Sequence, residues 1–383
     1  MSPNIPLSAR ADSRRKRDDT VIVNIGFEDF LTQSLVAHGF GVQVIHQYSN
    51  FNAAAIEVDP DNIETIRDRD SVRYVEFDET ASIPPQHTGL ATPDDLDEDP
   101  CIPWGVDRID AEVAHDAGYT GAGADIAIVD TGIDATHPGF DNVGEGVAFA
   151  ECEDEDKPDW HDDHYHGTHC AGSAAASDNG VGPVGVAPDA TLHAVKVLDN
   201  RGRGRFSDIA AGVETVADKG WDIASLSLGG PESEVMKDAL DYAADEGVAV
   251  IVSAGNSGPC TDCISSPADH PEAICVAATS DDDTLARFSS TGPEMNVAAP
   301  GEDVYSTIPD GYRDLSGTSM ACPHKSGVTG LLVGAGFEPR AGAAMALDAT
   351  ETIGLADNES GSGFLDAAAT FDLDSSDDGT GDC

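Results

Sequence analysis

The chain has 383 residues and carries 71 acidic side chains against 20 Lys and Arg, a formal net charge of −51. This length accommodates one large domain with a smaller one, and the charge makes nucleic acid and anionic membranes poor partners. Exposed like charges are screened only in abundant salt, so we interpret the acid excess, which runs along the whole chain, as adaptation to high salt as in halophiles. No run of about 18 apolar residues is present, so no transmembrane helix is expected.

The first 83 residues contain a basic segment and then a small α+β unit. Residues 1–17 end in the cluster RRKR, and the apolar run that follows, 21–27, is too short for a secretory signal. Over 18–83, hydrophobic periodicity predicts alternating strands and helices. The predicted strands are 20–27, 42–48, 53–58 and 72–77, and the predicted helices are 29–40 and 60–70.

The rest of the chain divides into a linker, a large domain and a tail. Residues 84–100 are acidic and Pro-rich, which predicts a linker open to proteolysis. From 101 to 371, apolar runs such as ADIAIVD and VAVIVSAG alternate with segments of helical spacing. This pattern predicts an α/β fold with an open, mostly parallel sheet, helices on both faces and ligand chemistry at the carboxyl ends of the strands. Residues 372–383 form an acidic tail that we expect to be disordered.

The eight cysteines all lie at or beyond Cys101, and their surroundings differ. Small apolar residues surround three of them, Cys170, Cys275 and Cys322, which are therefore predicted to be buried thiols. Cys260 and Cys263 share one CTDC loop, whereas Cys101 and Cys152 meet only if the fold brings them together, and Cys383 is terminal. One or two disulfides are expected, and not a full framework.

Three segments supply the parts of a charge-stabilised nucleophile. Asp130 ends the predicted strand ADIAIVD, and His166 lies in HGTHCAG at a loop-to-helix junction. Ser319 lies in GTSMACPH, among small residues that begin a helix. An acid, a His and a Ser in these settings are the components of a hydrolytic triad.

These segments resemble the signatures of the subtilisin-like serine proteases, the subtilases of peptidase family S8. VDTGID, HGTHCAG and GTSMACPH match nearly letter for letter, and the triad order Asp, His, Ser is the same. SLSLGG, SAGNSG and FSSTGPEMNVAAPG have counterparts in the same order, so the resemblance covers roughly residues 100–370. It implies the subtilisin-like fold and a serine endopeptidase that cleaves proteins or peptides through an acyl-enzyme without a catalytic cofactor. With its acidity, the chain is similar to haloarchaeal halolysin-type extracellular proteases.

Four histidines lie in WHDDHYHGTHCAG, residues 160–172, which is open to interpretation as a metal site, a catalytic base or a polar loop. The resemblance implies that His166 is the base for Ser319 and that Asp130 orients its ring. A zinc site requires convergent ligands, and no second ligand cluster accompanies this loop, so the base is favoured. The resemblance implies that His169 is a structural histidine, whereas His161 and His164 lie in a loop that varies within the family.

The resemblance also implies an oxyanion donor and two walls for the substrate. Asn256 of SAGNSG would act with the Ser319 backbone N–H, and an extended substrate would add a strand between the walls. Ser225 stands where the family usually has Asn. The implied substrate-binding residues are Ser227, Leu228, Gly229, Ser253, Ala254, Gly255, Gly202, Arg203, Gly204 and Phe206, the last walling a distal pocket.

Three arginines cluster in DNRGRGRF, although the chain has only 14. One interpretation is a solvated loop, and the other is that the arginines attract acidic side chains of the substrate. They are Arg201, Arg203 and Arg205.

A structural calcium site is implied by SDNGVGP, which aligns with the family's calcium loop. Two further family ligands are missing, because Gly139 and Pro100 stand in their places. Asp141 or Asp99 would have to substitute, since calcium accepts flexible oxygen cages. The ligands expected in the loop are Ser177, Asn179, Val181 and Pro183.

Residues 18–83 resemble the family's propeptide, a ferredoxin-like α+β domain that acts as chaperone and inhibitor. The chain is therefore expected to be a zymogen cleaved between Glu79 and Pro100, and a monomer outside the cell. Two alternatives stay open: a non-catalytic binding protein of the same fold, and a cytoplasmic protease. The complete triad argues against the first, while the missing signal peptide favours the second and paired cysteines favour export.

Overall fold

The structure is a computed structural model of the chain. It describes residues 20–29, 42–85, 87–93, 99–374, 379 and 381–383. The helix predicted over 29–40 lies almost entirely outside these residues. Among the helices described, none combines the length and apolar character needed to cross a membrane.

The small α+β unit predicted near the N-terminus is present with its own core. Its strands are β1 (Val21–Phe27), β2 (Gln43–Gln47), β3 (Ala53–Val58) and β4 (Val72–Phe77), and its helix is α1 (Ile63–Arg67), entered through the 3₁₀ turn Pro60–Asn62. The strands form an antiparallel sheet in the order β2-β3-β1-β4. Alternate residues such as Val23 and Ile25 are fully buried and pack against Ile66 of α1.

The large domain is built on seven strands: β7 (Asp125–Asp130), β8 (Val143–Ala148), β9 (Thr191–Lys196), β11 (Ile223–Leu226), β12 (Ala249–Ser253), β13 (Ala273–Thr279) and β14 (Met295–Pro300). They are all paired in parallel, in the order β14-β13-β12-β11-β7-β9-β8. β11 and β12 are buried at every residue, as the continuous apolar runs predicted. Because the strands are parallel, their carboxyl ends lie at one edge of the sheet.

Helices pack around this sheet and close the main hydrophobic core. α4 (His166–Ala175) packs on α7 (Thr318–Gly334), and α5 (Phe206–Lys219) packs on α6 (Glu234–Asp245). α8 (Pro339–Asp348) also packs on α7. α7 is buried over most of its length, which its small and apolar residues allow. The helices are α2 (Trp104–Arg108), α3 (Ala111–Asp116), α4 (His166–Ala175), α5 (Phe206–Lys219), α6 (Glu234–Asp245), α7 (Thr318–Gly334), α8 (Pro339–Asp348) and α9 (Asp357–Ser360), with a 3₁₀ turn at Ala369–Phe371.

The predicted linker contains a strand, which the sequence analysis missed. β6 (His87–Pro93) pairs antiparallel with β16 (Gly311–Ser316), which also pairs with β15 (Val304–Ile308). Just before it, β5 (Thr80–Ser82) pairs antiparallel with β10 (Arg203–Arg205). Main-chain hydrogen bonds hold such strands without an apolar side-chain pattern, so composition alone did not indicate them.

The C-terminal tail corrects a second expectation, because its last residues are ordered. Cys383 forms a disulfide with Cys101, and the backbone N–H of Ile102 donates to Asp382 Oδ1 at 2.6 Å. Cys260 and Cys263 form the other disulfide. Cys152 is free, so it is not the partner of Cys101, and the three thiols predicted to be buried are free and buried.

Candidate active site

Asp130 and His166 meet at the carboxyl edge of the sheet. Asp130 is the last residue of β7 and His166 the first of α4, and His166 Nδ1 lies 2.7 Å and 2.9 Å from the two carboxylate oxygens. Both side chains are fully buried. Gly167 permits this contact, since a Cβ there would clash with the carbonyl oxygen of Gly132 in the turn after β7.

Ser319 lies at the second residue of α7, close to this pair. Pro323, four residues later, has no N–H for the Ser319 carbonyl. That carbonyl accepts instead from Ser227 Oγ at 2.8 Å and from Cys170 Sγ at 3.4 Å. The side chains of Ser227, in the loop after β11, and of Cys170, in α4, therefore fix the start of α7.

The Ser319 hydroxyl does not yet bond to the histidine. Its Oγ donates to the Ser227 carbonyl at 3.4 Å, and His166 Nε2 is buried with no partner among the described residues. Such contacts are often long without a reacting substrate and tighten along the reaction path.

Asn256 follows β12 and its amide orientation is fixed by two donors. Thr318 gives its backbone N–H and its hydroxyl to Asn256 Oδ1, each at 2.9 Å. The amide nitrogen must then face the cleft, where it donates to the carbonyl oxygen of Pro85 at 2.9 Å. A backbone carbonyl of the N-terminal part of the chain thus lies at the predicted oxyanion donor.

Residues 80–85 lie between the two predicted substrate walls as an added strand. Ser82 exchanges both backbone hydrogen bonds with Gly229, each at 3.0 Å, and Ile83 N–H donates to the Gly202 carbonyl at 3.0 Å. On the other side β5 pairs with β10, with Ser82 opposite Arg203. The predicted walls therefore flank an extended segment of the chain and are joined to it by main-chain hydrogen bonds, a geometry that would also suit an extended substrate.

The remaining predicted wall residues support the cleft from behind. Phe206 and Leu228 are fully buried, and Phe206 lies against Gly230 and Ala81 at the distal pocket. Gly255 needs its positive φ of 104° and accepts no Cβ beside Ser265. Ser253 and Ala254 are buried, and no hydrogen bond joins them to residues 80–85 in the part of the chain that is described.

Asp162 organises the start of α4, a role that the sequence analysis missed. Its Oδ1 accepts from the backbone N–H groups of His164 and Tyr165 at 2.9 Å and 3.0 Å, and its Oδ2 accepts from Thr168 N–H at 2.9 Å. Tyr165, directly before His166, is held at a φ of 146°. An acid just before a helix start was the available signal, since carboxylates cap helix N-termini.

The other histidines of this loop do not converge on a metal. His169 is buried with Nε2 near the carbonyls of Val304 and Arg313, and burial lowers its pKa to about 3. His164 has a lowered pKa because of burial and the neighbouring His166. Within the described residues, the only potential ligand cluster that involves this loop is Asp130, His166 and Cys170, the predicted catalytic pair and a buried thiol.

Lys196 braces the turn that follows Asp130. Its side chain is fully buried, and Nζ donates to the Thr131 carbonyl at 2.6 Å and to Asp163 Oδ1 at 2.7 Å. A buried ammonium with a carboxylate partner is tolerated because both charges are hydrogen-bonded. This contact ties β9 and the histidine-rich loop to the end of β7.

The predicted calcium loop does not present a matching donor set. Asn179 Nδ2 donates to Asp141 Oδ2 at 3.1 Å and to the Pro138 carbonyl, so its nitrogen faces the acid. Its Oδ1 accepts from Val181 N–H at 3.2 Å, and Ser177 Oγ accepts from Asp141 N–H at 3.0 Å. A calcium cage needs these oxygens turned towards one point, so the residues as arranged do not fit the ion.

Comparison with known proteins gives the family. The family model described as the subtilase family matches residues 121–350. Subtilisin E of Bacillus subtilis (strain 168) is 38% identical over 297 residues, which cover 76% of this chain and 73% of the relative. M-protease of Shouchella clausii (strain KSM-K16) is 37% identical over 293 residues, covering 76% and 71%. Subtilisin BL of Lederbergia lenta is 43% identical over 233 residues, covering 60% and 84%. The chain belongs to the subtilase family and is a serine-type endopeptidase.

Proposed function

We propose that Asp130, His166 and Ser319 form the catalytic triad of this endopeptidase, and that the chain is a zymogen which processes itself. The observation that carries the proposal is the hydrogen bond from Asn256 to the Pro85 carbonyl, since it supports a peptide group of the chain itself in the position of a substrate. Asp130, His166 and Ser319 are all fully buried, which is expected of a cleft that is already occupied.

The proposed chemistry uses side chains and one backbone amide only. Ser319 Oγ attacks the carbonyl carbon while its proton passes to His166 Nε2, and Asp130 stabilises the imidazolium. Asn256 Nδ2, with the Ser319 N–H, donates to the oxyanion that forms. When the C–N bond breaks, His166 returns the proton to the leaving amine, and water then releases the acyl group from Ser319 by the reverse sequence.

The position of Pro85 supports a specific processing site. Because its carbonyl oxygen accepts from Asn256 at 2.9 Å, the bond after Pro85 is the one presented for attack. This lies within the expected range between Glu79 and Pro100. Cleavage there separates residues 1–85 from the large domain.

The small α+β unit is proposed to assist folding by capping two helices of the large domain. Glu76 accepts from the backbone N–H groups of Glu234 and Val235 at 2.8 Å and 3.1 Å, at the start of α6. Asp78 accepts from Ser207 N–H at 3.0 Å, at the start of α5. Carboxylates satisfy unpaired amides and oppose the positive end of the helix dipole. Both helix starts therefore gain partners that the large domain itself does not supply there.

Salt adaptation, export and a monomeric state belong to the same proposal. The net charge of −51 supports a fold that needs salt to screen repulsion. The two disulfides support an oxidising compartment. Titration of thiols in denaturant is expected to find four of the eight, and eight reactive thiols would contradict export. Sedimentation in high salt tests the monomer.

The full chain and its Ser319→Ala variant, refolded in about 3 M salt, provide the main test, because screening lengths are already about 3 Å at 1 M. Mass spectrometry is expected to show loss of residues 1–85 in the wild type only, with casein hydrolysis blocked by a serine-directed inhibitor. Processing at another bond that still requires Ser319 would overturn the assigned site and keep the triad. A folded wild-type chain with no Ser319-dependent cleavage would refute the proposed roles.

A further inference from the structure

The arginine-rich strand β10 presents its charges on one face beside the occupied cleft. In the register of β10 with β5, Arg203 lies opposite Ser82, Gly204 opposite Ala81, and Arg205 opposite Thr80. Directly opposite residues of an antiparallel pair project to the same face, and residues two apart share it. The two arginines therefore flank the side chains at the positions of Ser82 and Thr80, while Ala81 is turned towards the buried distal pocket.

This face forms a cleft of about 690 Å³, lined by Arg201, Arg203 and Arg205 together with Thr80 and Ser82. Arg203 is exposed, and among the described residues its guanidinium forms neither an ion pair nor a hydrogen bond. The charge is available to whatever occupies the cleft.

Three acids also line this cleft, namely Glu151, Asp199 and Asp208, and the last two are engaged elsewhere. Asp199 Oδ1 accepts from the backbone N–H groups of Arg201 and Arg203 at 2.9 Å and 3.0 Å, which shapes the turn before β10. Asp208 bonds to His46 at 2.8 Å. They hold the loop in shape without pairing with the Arg203 guanidinium.

Arg205 already contacts a carboxylate of the segment that enters the cleft. Its Nη1 donates to the Asp78 carbonyl at 3.2 Å and lies 3.7 Å from Asp78 Oδ2. This contact is two residues before Thr80 along the same chain. The face thus accommodates an acidic side chain of a bound, extended peptide.

We propose that Arg203 and Arg205 make this enzyme select acidic substrates, through Asp or Glu at the positions that Ser82 and Thr80 occupy. The inference rests on the proposed function, because it takes residues 80–85 as the guide to substrate register. Counted back from the cleaved bond, with Pro85 as the first residue, the selected positions are the fourth (Ser82) and the sixth (Thr80). The intervening residue faces the Phe206 pocket, so the preference alternates along the substrate.

The expected preference is modest because both partners are near solvent. Exposed ion pairs correspond to about 1.4- to 5-fold in an equilibrium, and a bidentate guanidinium–carboxylate contact lies at the upper end. Added salt weakens the preference, since screening shortens the range of the attraction. Acidic proteins adapted to the same salty surroundings are the substrate class that fits.

The test uses processed wild-type enzyme and two peptides at each position, one with Asp and one with its uncharged isostere Asn. Each position from the second to the sixth before the cleaved bond is scanned, and mass spectrometry verifies which bond is cut. The ratio of kcat/KM for Asp over Asn is expected to reach about 2- to 5-fold at the fourth and sixth positions and to stay near one at the others.

Three variants assign the effect to its residues. Arg203→Ser is expected to abolish the ratio at the fourth position and Arg205→Ser at the sixth. Arg340→Ser, which removes an arginine of α8 that is paired with Glu272, is expected to leave both ratios unchanged. Because each ratio compares two peptides on one enzyme, loss of folded protein does not alter it.

Ratios near one at every position, or a ratio that survives both variants, would overturn the selection. Complete absence of Ser319-dependent cleavage would instead count against the proposed function. The two failures are therefore distinguishable in one set of assays.

Discussion

A buried lysine on α7, the helix that carries Ser319, gives the most quantitative prediction. Lys325 is fully buried, and Nζ donates to the Ala343 carbonyl at 2.9 Å and to Thr329 Oγ1 at 3.2 Å. No carboxylate pairs with it among the described residues. Burial therefore lowers its pKa to about 7 from an ordinary value of 10.5. We predict that Lys325→Met stabilises the protein at neutral pH and destabilises it at alkaline pH.

The magnitude follows from proton linkage. Each pKa unit corresponds to about 1.4 kcal/mol, so burying Lys325 costs about 4 kcal/mol at pH 7 and about 1 kcal/mol at pH 10. Methionine has a similar volume, but it leaves the Ala343 carbonyl without its donor, at about 2 kcal/mol. The variant is then more stable by about 2 kcal/mol at pH 7 and less stable by about 1 kcal/mol at pH 10.

The sign is fixed by which state holds the proton. Between pH 7 and 10.5 the unfolded chain keeps the Lys325 proton while the folded chain releases it. The free energy of unfolding of the wild type therefore rises with pH across this window relative to the variant.

The assay is urea unfolding at fixed high salt from pH 7 to 10, in a Ser319→Ala background that prevents proteolysis. Lys237→Met, at a partly exposed lysine paired with Glu234 on α6, is the matched control and should show no comparable slope between pH 7 and 9. A stability difference that stays constant from pH 7 to 10 would refute the reasoning, as would a variant less stable at pH 7.

Three further predictions concern the site and the loop near it. Asn256→Ala should lower kcat by about 10²–10³ with KM little changed, the loss known for such a donor in a subtilisin, a relative of this chain. Asp162→Asn should lower kcat by about 10- to 100-fold, because an amide accepts hydrogen bonds less strongly than a carboxylate from the N–H groups that position His166, and a displacement of the ring by about 1 Å is costly. Asp163→Asn, at the neighbouring position, disturbs the Lys196 contact and serves for comparison. Removal of calcium with EGTA should leave the thermal midpoint unchanged, because Asn179 and Asp141 are bonded to each other.

Each of these has a contradicting result. Unchanged kcat in Asn256→Ala would remove the oxyanion role, and an Asp162→Asn effect confined to stability would reduce that residue to a structural one. A lower midpoint in EGTA, restored by calcium and absent in Asn179→Ala, would restore the calcium site.

The residues of the candidate site could be predicted from sequence because they lie in short local motifs. Asp130, His166 and Ser319 each lie at a strand end or helix start that the hydrophobic pattern already marks. The buried strands of the parallel sheet were equally visible, since both faces are covered and the apolar runs are continuous. The cleft walls, by contrast, were predicted only because their segments resemble those of the subtilases.

Contacts between distant segments were decided only by the tertiary structure. The pairing of Cys101 with Cys383 depends on where two chain ends meet, and β6 is held by backbone groups that every residue carries. Local sequence likewise does not indicate that Pro85 lies at Asn256 or that Ser82 lies opposite Arg203. The sequence by itself determined which groups are present and which elements carry them. The fold decided which of them touch, because contact between residues far apart in the chain depends on the packing of all the elements between them.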